Sequence, residues 1–310
     1  MPTVDEITAL QELLDAIRIG EPVSHEALTV VPLLAPMGAE PDWLTLTEAG
    51  DRVTITEVSE AGSVAELTVK NAAGQPVLLL EGEELVGAKQ NRVLNTTILV
   101  AAGATLTVPV SCVEQGRWAW RSRHFASSDA SLFASLRAKK VARVSESLRR
   151  GRGHVGDQSE VWEEISGLAA KYGVESPTGA LHDLYANRGE ELGAARAALA
   201  AGPGQVGALV YLRDRWIGLD LLATQGLFVR VWPRLCSGYA AEAMGTKPNG
   251  TPRLAPKRLL GSLARMPAEL ASAVGLGREY RLGGQKAQGA ALVVDDRVAH
   301  LMAFPAPMKH

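Results

Sequence analysis

A chain of 310 residues with 46% hydrophobic and 21% charged side chains has the balance of a water-soluble globular protein and enough length for a sizeable core. Its net charge of −2 excludes an overall pull toward nucleic acid or an anionic membrane. No apolar run approaches the roughly 18–20 residues of a spanning helix, and the Met1–Gly20 segment lacks the apolar centre of a secretory signal, so no membrane role is expected. Two cysteines, Cys112 and Cys236, stand outside any CxxC or CxxH spacing, which excludes a disulfide scaffold and leads us to expect reduced thiols in the cytoplasm.

Along the chain, Ile7, Leu10, Leu13, Leu14 and Ile17 recur at helical spacing and predict a leading helix within residues 1–24. Residues 27–118 are strand-rich. Short apolar or alternating runs at Leu28–Leu34, Val53–Val58, Val64–Val69, Val77–Leu80, Val93–Val100 and Thr105–Val110 are punctuated by Gly, Pro, Asn and Asp. Their connections are too short for helical crossovers, so the pairing is antiparallel.

The texture changes near Ser127. Helices are predicted over Ser131–Arg150, Ser159–Lys171 (capped by Ser159), a segment opened by Ser176-Pro177-Thr178, and Glu190–Ala201. Val206–Leu212 and Trp216–Leu222 form a hairpin. Val229–Met244 reads as a helix with Pro233 in its first turn, and Pro256–Ala264 as a short one. Strands return at Glu279–Leu282, Ala290–Val294 and Val298–Phe304, with Asp295-Asp296 as a turn. The fold class is therefore α+β: a mostly antiparallel sheet from residues 27–118 and 205–304, a helical insertion over 128–200, and one integrated domain over 25–305.

The chemistry-bearing residues crowd into Leu80–Trp118. Glu81, Glu83, Glu84, Lys89, Gln90, Asn91, Arg92 and Asn95 precede or open the Val93–Val100 run, and Ser111, Cys112, Glu114, Gln115 and Arg117 follow Thr105–Val110. If the two runs pair as a hairpin, both clusters meet at its open end. Three acids within four residues repel one another unless cations offset them, and Lys89 and Arg92 are close enough in sequence to do so. Glu83 and Glu114 are candidate general bases. Glu84, Lys89, Gln90, Asn91, Arg92, Asn95 and Arg117 are candidate ligand-binding residues, since Arg forks suit phosphate and amides offer paired donors and acceptors. The same groups could simply tie loops together. A thiol at Cys112 needs a nearby cation or base to act as a nucleophile, and a small buried side chain explains it as well.

Six singly scattered histidines give no zinc spacing, so no metal residue is assigned, although carboxylates at Glu81–Glu84 are compatible with Mg²⁺ or Ca²⁺. The glycine loops Gly151–His154 and Gly283–Lys286 match neither phosphate-loop pattern. Trp118, Trp120, Arg121, Arg123 and His124 interleave aromatic and basic side chains in a way that suits stacking on a base, or packing tryptophans on one strand face.

The stretches Glu81–Arg92, Asn95 and Pro109–Trp118 resemble the bacterial family named for its association with ADP-ribosylglycohydrolase and rhodanese-phosphatase proteins. A weaker likeness runs through Trp232-Pro233 and Tyr239-Ala240. The resemblance implies a setting of NAD or ADP-ribose metabolism and carries no established activity or cofactor. Two readings follow. In one, the chain binds or processes a nucleotide-like small molecule, with Lys89, Arg92 and Arg117 on phosphate and Glu83 or Glu114 as base or ribose acceptor. In the other, it is a non-catalytic interaction module whose polar cluster is an internal brace.

Overall fold

The computed structural model describes residues 4–36, 38–250 and 252–306, with the backbone alone at 4–9. The strands fall into two main antiparallel bodies. The first is a closed six-stranded barrel in the order Thr105–Cys112, Glu66–Asn71, Val53–Glu57, Phe125–Ser131, Glu83–Gly87, Arg92–Leu94 and back. Alternation sets its inside: Val53, Ile55 and Glu57 are buried while Thr54 and Thr56 are half-buried. Ile55, Leu67, Val69, Leu85, Leu94, Val108, Val110 and Phe125 join one hydrophobic cluster.

The expected Val93–Val100 strand is split. Arg92–Leu94 stays in the barrel beside Val110–Cys112, whereas Ile98–Val100 leaves it and pairs with Val77–Leu79, which in turn pairs in parallel with Leu44–Thr45. The break falls at residues 95–97, where Asn95 donates to the His154 carbonyl (2.9 Å) and Thr97 meets His300 (2.8 Å). Those partners lie far along the chain, so local periodicity could not mark the break. The ends still converge as expected, with Arg92 opposite Cys112. Phe125–Ser131 is a barrel strand that sequence reading missed, because FASSDAS lacks the β-branched alternation of a strand.

The second body is a nine-stranded sheet. Its main path runs Arg18–Ile19, Leu28–Leu34, Gln205–Leu212, Arg215–Leu222, Arg297–Pro305, Ala287–Val294, Arg278–Gly283 and Ala268–Ala271, with Val23–His25 against Leu28–Leu34. One face packs on Leu10, Leu14 and Ile17 and on Leu260 and Leu263 of Pro256–Leu263. The leading helix is Val4–Ala16, and the Ile7 side chain lies outside the described residues. The other face packs on Leu227, Phe228, Val231, Trp232, Leu235 and Tyr239 of the helix Gln225–Ala243. Thr224 caps that helix, so it starts earlier than its apolar spacing predicts and Pro233 falls in its interior rather than its first turn. At Gly238 the helix passes so close to the barrel that an added Cβ would lie 2.5 Å from the Leu132 carbonyl oxygen.

The helical insertion comprises Ala134–Arg149, Gln158–Tyr172, Leu181–Asn187 and Gly189–Ala198. Asp157, not Ser159, caps the second of these. The third begins only at Leu181, because Ser176 accepts from the Ala180 amide and donates to Asp183, folding residues 176–180 as a turn. Barrel, sheet and helices make one α+β domain.

Barrel and sheet are joined by buried charges. Arg137, from the first insertion helix, donates through Nε to Glu81 (2.9 Å) and through both terminal nitrogens to Asp220 (2.9 and 2.7 Å). Tyr239 donates to the same Asp220 carboxylate (2.6 Å), His300 contacts it at 3.0 Å, and Thr97 closes the chain on His300. All of these side chains are buried. Burial alone would push the Asp220 pKa up, but Arg137 and His300 hold it well below the usual carboxylate range. Removing one partner leaves uncompensated charge, so Asp220→Ala should cost about 3–5 kcal/mol in chemical unfolding. Arg137→Met added to Asp220→Ala should recover part of that loss. Strict additivity of the two would refute the coupling.

Lys140 sits beside this network, 3.5 Å from Glu81 and bonded to the Leu94 carbonyl. Burial drives its ammonium down to about 8 from 10.5, and Glu81 offsets only part of that. The folded state thus holds the proton less tightly than the unfolded chain. The penalty is complete below pH 8 and is relieved as pH rises from 8 toward 10.5. Wild-type stability measured against Lys140→Met should therefore rise through that window, with a limiting slope of about 1.4 kcal/mol per pH unit. A flat difference would contradict a buried titrating lysine.

Candidate functional site

At the barrel rim the chain after Cys112 turns back over the Glu83–Gly87 and Arg92–Leu94 strands. Arg117 organises it. Its guanidinium makes six hydrogen bonds: to both Glu114 carboxylate oxygens (2.8 and 2.6 Å), the Asn91 side-chain oxygen (3.1 Å), and the carbonyls of Gly87, Ala88 and Ala119. Glu114 also accepts from the Asn91 amide (3.0 Å) and from Thr178 (2.9 Å), and Gln90 donates to the Glu114 carbonyl (2.8 Å). Burial pushes the Glu114 pKa up, yet Arg117, the Asn91 amide and Thr178 outweigh it and hold the carboxyl below its ordinary value. Asn91, Gln90 and Glu114 are buried, and Arg117 is nearly so. Arg92 joins by donating to the Gln90 side-chain oxygen (3.0 Å), so five predicted residues are assembled, with Glu114 and Arg117 fully bonded to one another.

Glu83, Glu84 and Asn95 bond elsewhere. Glu83 accepts from Arg234 (2.5 Å), Ser127 (3.0 Å) and the Leu80 amide (3.1 Å). Glu84 accepts from Ser128 (2.8 Å) and lies 3.4 Å from His182, whose pKa this contact raises. Asn95 accepts from Ser111 (2.7 Å) and holds the 151–157 loop through His154. With Glu81 on Arg137, the acids of residues 81–84 face three separate cations or histidines. Among the described residues no group of three or more His, Cys, Asp or Glu side chains gathers as a metal site. Cys112 is fully buried, donates to the Glu114 carbonyl (3.2 Å), and has its thiol pKa pushed up by burial.

Outside the brace lies an open cleft of about 910 Å³ lined by Thr56, Glu57, Glu60, Trp120, Arg121 and Arg123. Trp118 and Trp120 are 47% and 52% exposed, which is uncommon for the largest side chain. The loop is fastened at its base by Ala119 N–H to the Lys89 carbonyl (3.2 Å) and Arg121 N–H to the Ala88 carbonyl (2.9 Å). Lys89 lies 5.4 and 5.1 Å from the Trp118 and Trp120 ring centres, and Arg92 lies 5.5 Å from Trp118. Lys89 is anchored to the carbonyls of Glu60 and Ala61. The interleaved Trp/Arg pattern is the signal that marks this loop. Glu57 and Arg234 carried none, since each is a lone charge in an unremarkable run.

The chain thus presents a polar brace carrying an exposed aromatic and basic loop, on a barrel fused to an antiparallel sheet. The chain belongs to the ARG and Rhodanese-Phosphatase-superfamily-associated Protein domain family, whose model matches residues 16–304. No curated protein and no solved structure matches it. No helix among the described residues is long and apolar enough to cross a membrane.

Arg117→Ala removes six hydrogen bonds and leaves Glu114 buried without its cation. The expected cost is about 3–5 kcal/mol in urea unfolding. Arg117→Lys should recover less than half of it, because an ammonium cannot reproduce the fork. Stability unchanged in both variants would show that the network is not a brace.

Proposed function

We propose that this chain binds a nucleotide-like anion, of the kind represented by NAD or ADP-ribose, on the barrel rim rather than within the polar cluster. The observation that carries the reading is the loop beside the cleft: two half-exposed tryptophans and the exposed Arg121 and Arg123 project from one loop whose base is fixed, and Trp120, Arg121 and Arg123 line the cleft. Trp118 and Trp120 offer stacking faces to a ring, and each stacked base contributes about 1–3 kcal/mol. Arg121 and Arg123 offer forks to phosphate. Lys89, Gln90, Asn91, Arg92, Glu114 and Arg117 support the site from below. A Glu114 carboxyl held anionic by a bidentate guanidinium is a weak base, which favours binding over catalysis by that residue. The family's association with ADP-ribosylglycohydrolases, the ARG of its name, fits such a ligand.

The saturated Glu114–Arg117 network favours a second reading, in which the rim is an interaction surface for another protein. A thermal-shift screen against NAD, ADP-ribose and mononucleotides separates the two. At about 100-fold excess over Kd, a true ligand adds roughly 2.7 kcal/mol and raises Tm by several degrees. The shift should vanish in Trp120→Ala/Arg121→Ala, whose own Tm should stay near wild type because both side chains are exposed. No shift with any nucleotide, or one that survives in the double variant, would favour the interaction surface.

A further inference from the structure

Among the described residues, two buried polar atoms beneath Trp118 have no partner. Glu57 is 6% exposed. Its Oε1 accepts from the Lys89 amide (3.3 Å), while its Oε2 accepts from nothing. Arg92 is 0% exposed. Its terminal nitrogens are bonded to Gln90, Asn91 and Ser63, while its Nε–H donates to nothing. An unpaired buried donor or acceptor costs about 1–3 kcal/mol, more when charged, so two near one exposed aromatic loop call for an explanation.

Trp118 is stacked near Arg92 and Lys89, and Gly62, at φ +79°, lies against it. A Cβ on Gly62 would stand 3.2 Å from the Trp118 ring and 3.3 Å from both Glu57 Oε2 and the Lys89 stem. Glycine thus lets the main chain close on Glu57 and Trp118 where a side chain would crowd them. Glu57 also lines the open cleft beside Trp120.

We propose that Glu57 and Arg92 form a specificity subsite that reads the edge of the ligand's ring, with Glu57 Oε2 accepting from a ring-borne amino or amide N–H and Arg92 Nε donating to the neighbouring ring nitrogen or carbonyl. Trp118 is the roof that shifts to admit the ring and stacks on it. This rests on the nucleotide-like reading above and adds the class of ring: planar, with a hydrogen-bond donor adjacent to an acceptor. Rings lacking the donor leave the carboxylate buried and unpaired, so selection falls on the donor.

Adenosine 5′-diphosphate and purine riboside 5′-diphosphate differ only in the exocyclic amino group that would meet Glu57. Titration calorimetry on the full chain should show the adenosine compound binding at least about 10-fold tighter, the factor expected of a hydrogen bond to a charged group. Glu57→Gln should erase most of that preference without loss of binding through the tryptophans and arginines. Trp118→Phe, which needs no change at the buried pair, should remove most of the tryptophan fluorescence quenching caused by adenosine 5′-diphosphate. Equal affinity of the two compounds for wild type would overturn the subsite while leaving nucleotide binding intact. Binding of neither would overturn both. A preference that persists in Glu57→Gln would place the reading of the amino group elsewhere.

Discussion

The constraint on which the molecule depends is a buried guanidinium. Arg137 stands between Glu81 at the end of the barrel and Asp220 in the middle of the nine-stranded sheet. Neither carboxylate could stay charged at that depth alone, because desolvation of an isolated ion costs several kcal/mol. The barrel, the sheet and the first insertion helix must therefore arrive together. Tyr239 and His300 add the long helix and a sheet strand to the same carboxylate. The network supplies register more than stability: a hydrophobic interface could slide, whereas a bidentate Arg–Asp pair has one geometry.

A second, partly buried arginine repeats this logic on a smaller scale. Arg117 folds residues 113–121 back upon the turn at residues 87–91 by capturing main-chain carbonyls on both sides. The exposed tryptophans that follow are thereby placed on a fixed base, and a ligand ordering them loses less conformational entropy than it would on a free loop. The division of labour is spatial. Saturated charges lie inside, while two exposed tryptophans and two exposed arginines lie outside, with the unpaired atoms of Glu57 and Arg92 at the boundary.

Much of the local structure was legible. Val53–Glu57 and Arg297–Pro305 declare themselves by alternation or by continuous burial, and the Asp295-Asp296 turn by residue type, with both residues at positive φ. The strand Phe125–Ser131 was not legible, since its serines are satisfied by Glu83 and Glu84 across the barrel. The site was half legible. Lys89–Arg92 and Glu114–Arg117 do meet, because Arg92 pairs opposite Cys112, but burial turns them inward.

The sequence by itself determined most of the strand and helix segments, that one domain mixes both, and that a dense polar motif lies near residue 90. Periodicity and turn chemistry are local, and they carry that much. Only the tertiary structure decided that the strands divide between a closed barrel and an open sheet, that residues 95–97 break one strand in two, and that Glu83 and Glu84 take partners other than those of Glu114. Those outcomes depend on which distant group satisfies each buried charge: Arg234 for Glu83, Ser128 for Glu84, Arg117 for Glu114. A buried carboxylate must find a donor, and nothing in its immediate neighbours says which one the fold will bring.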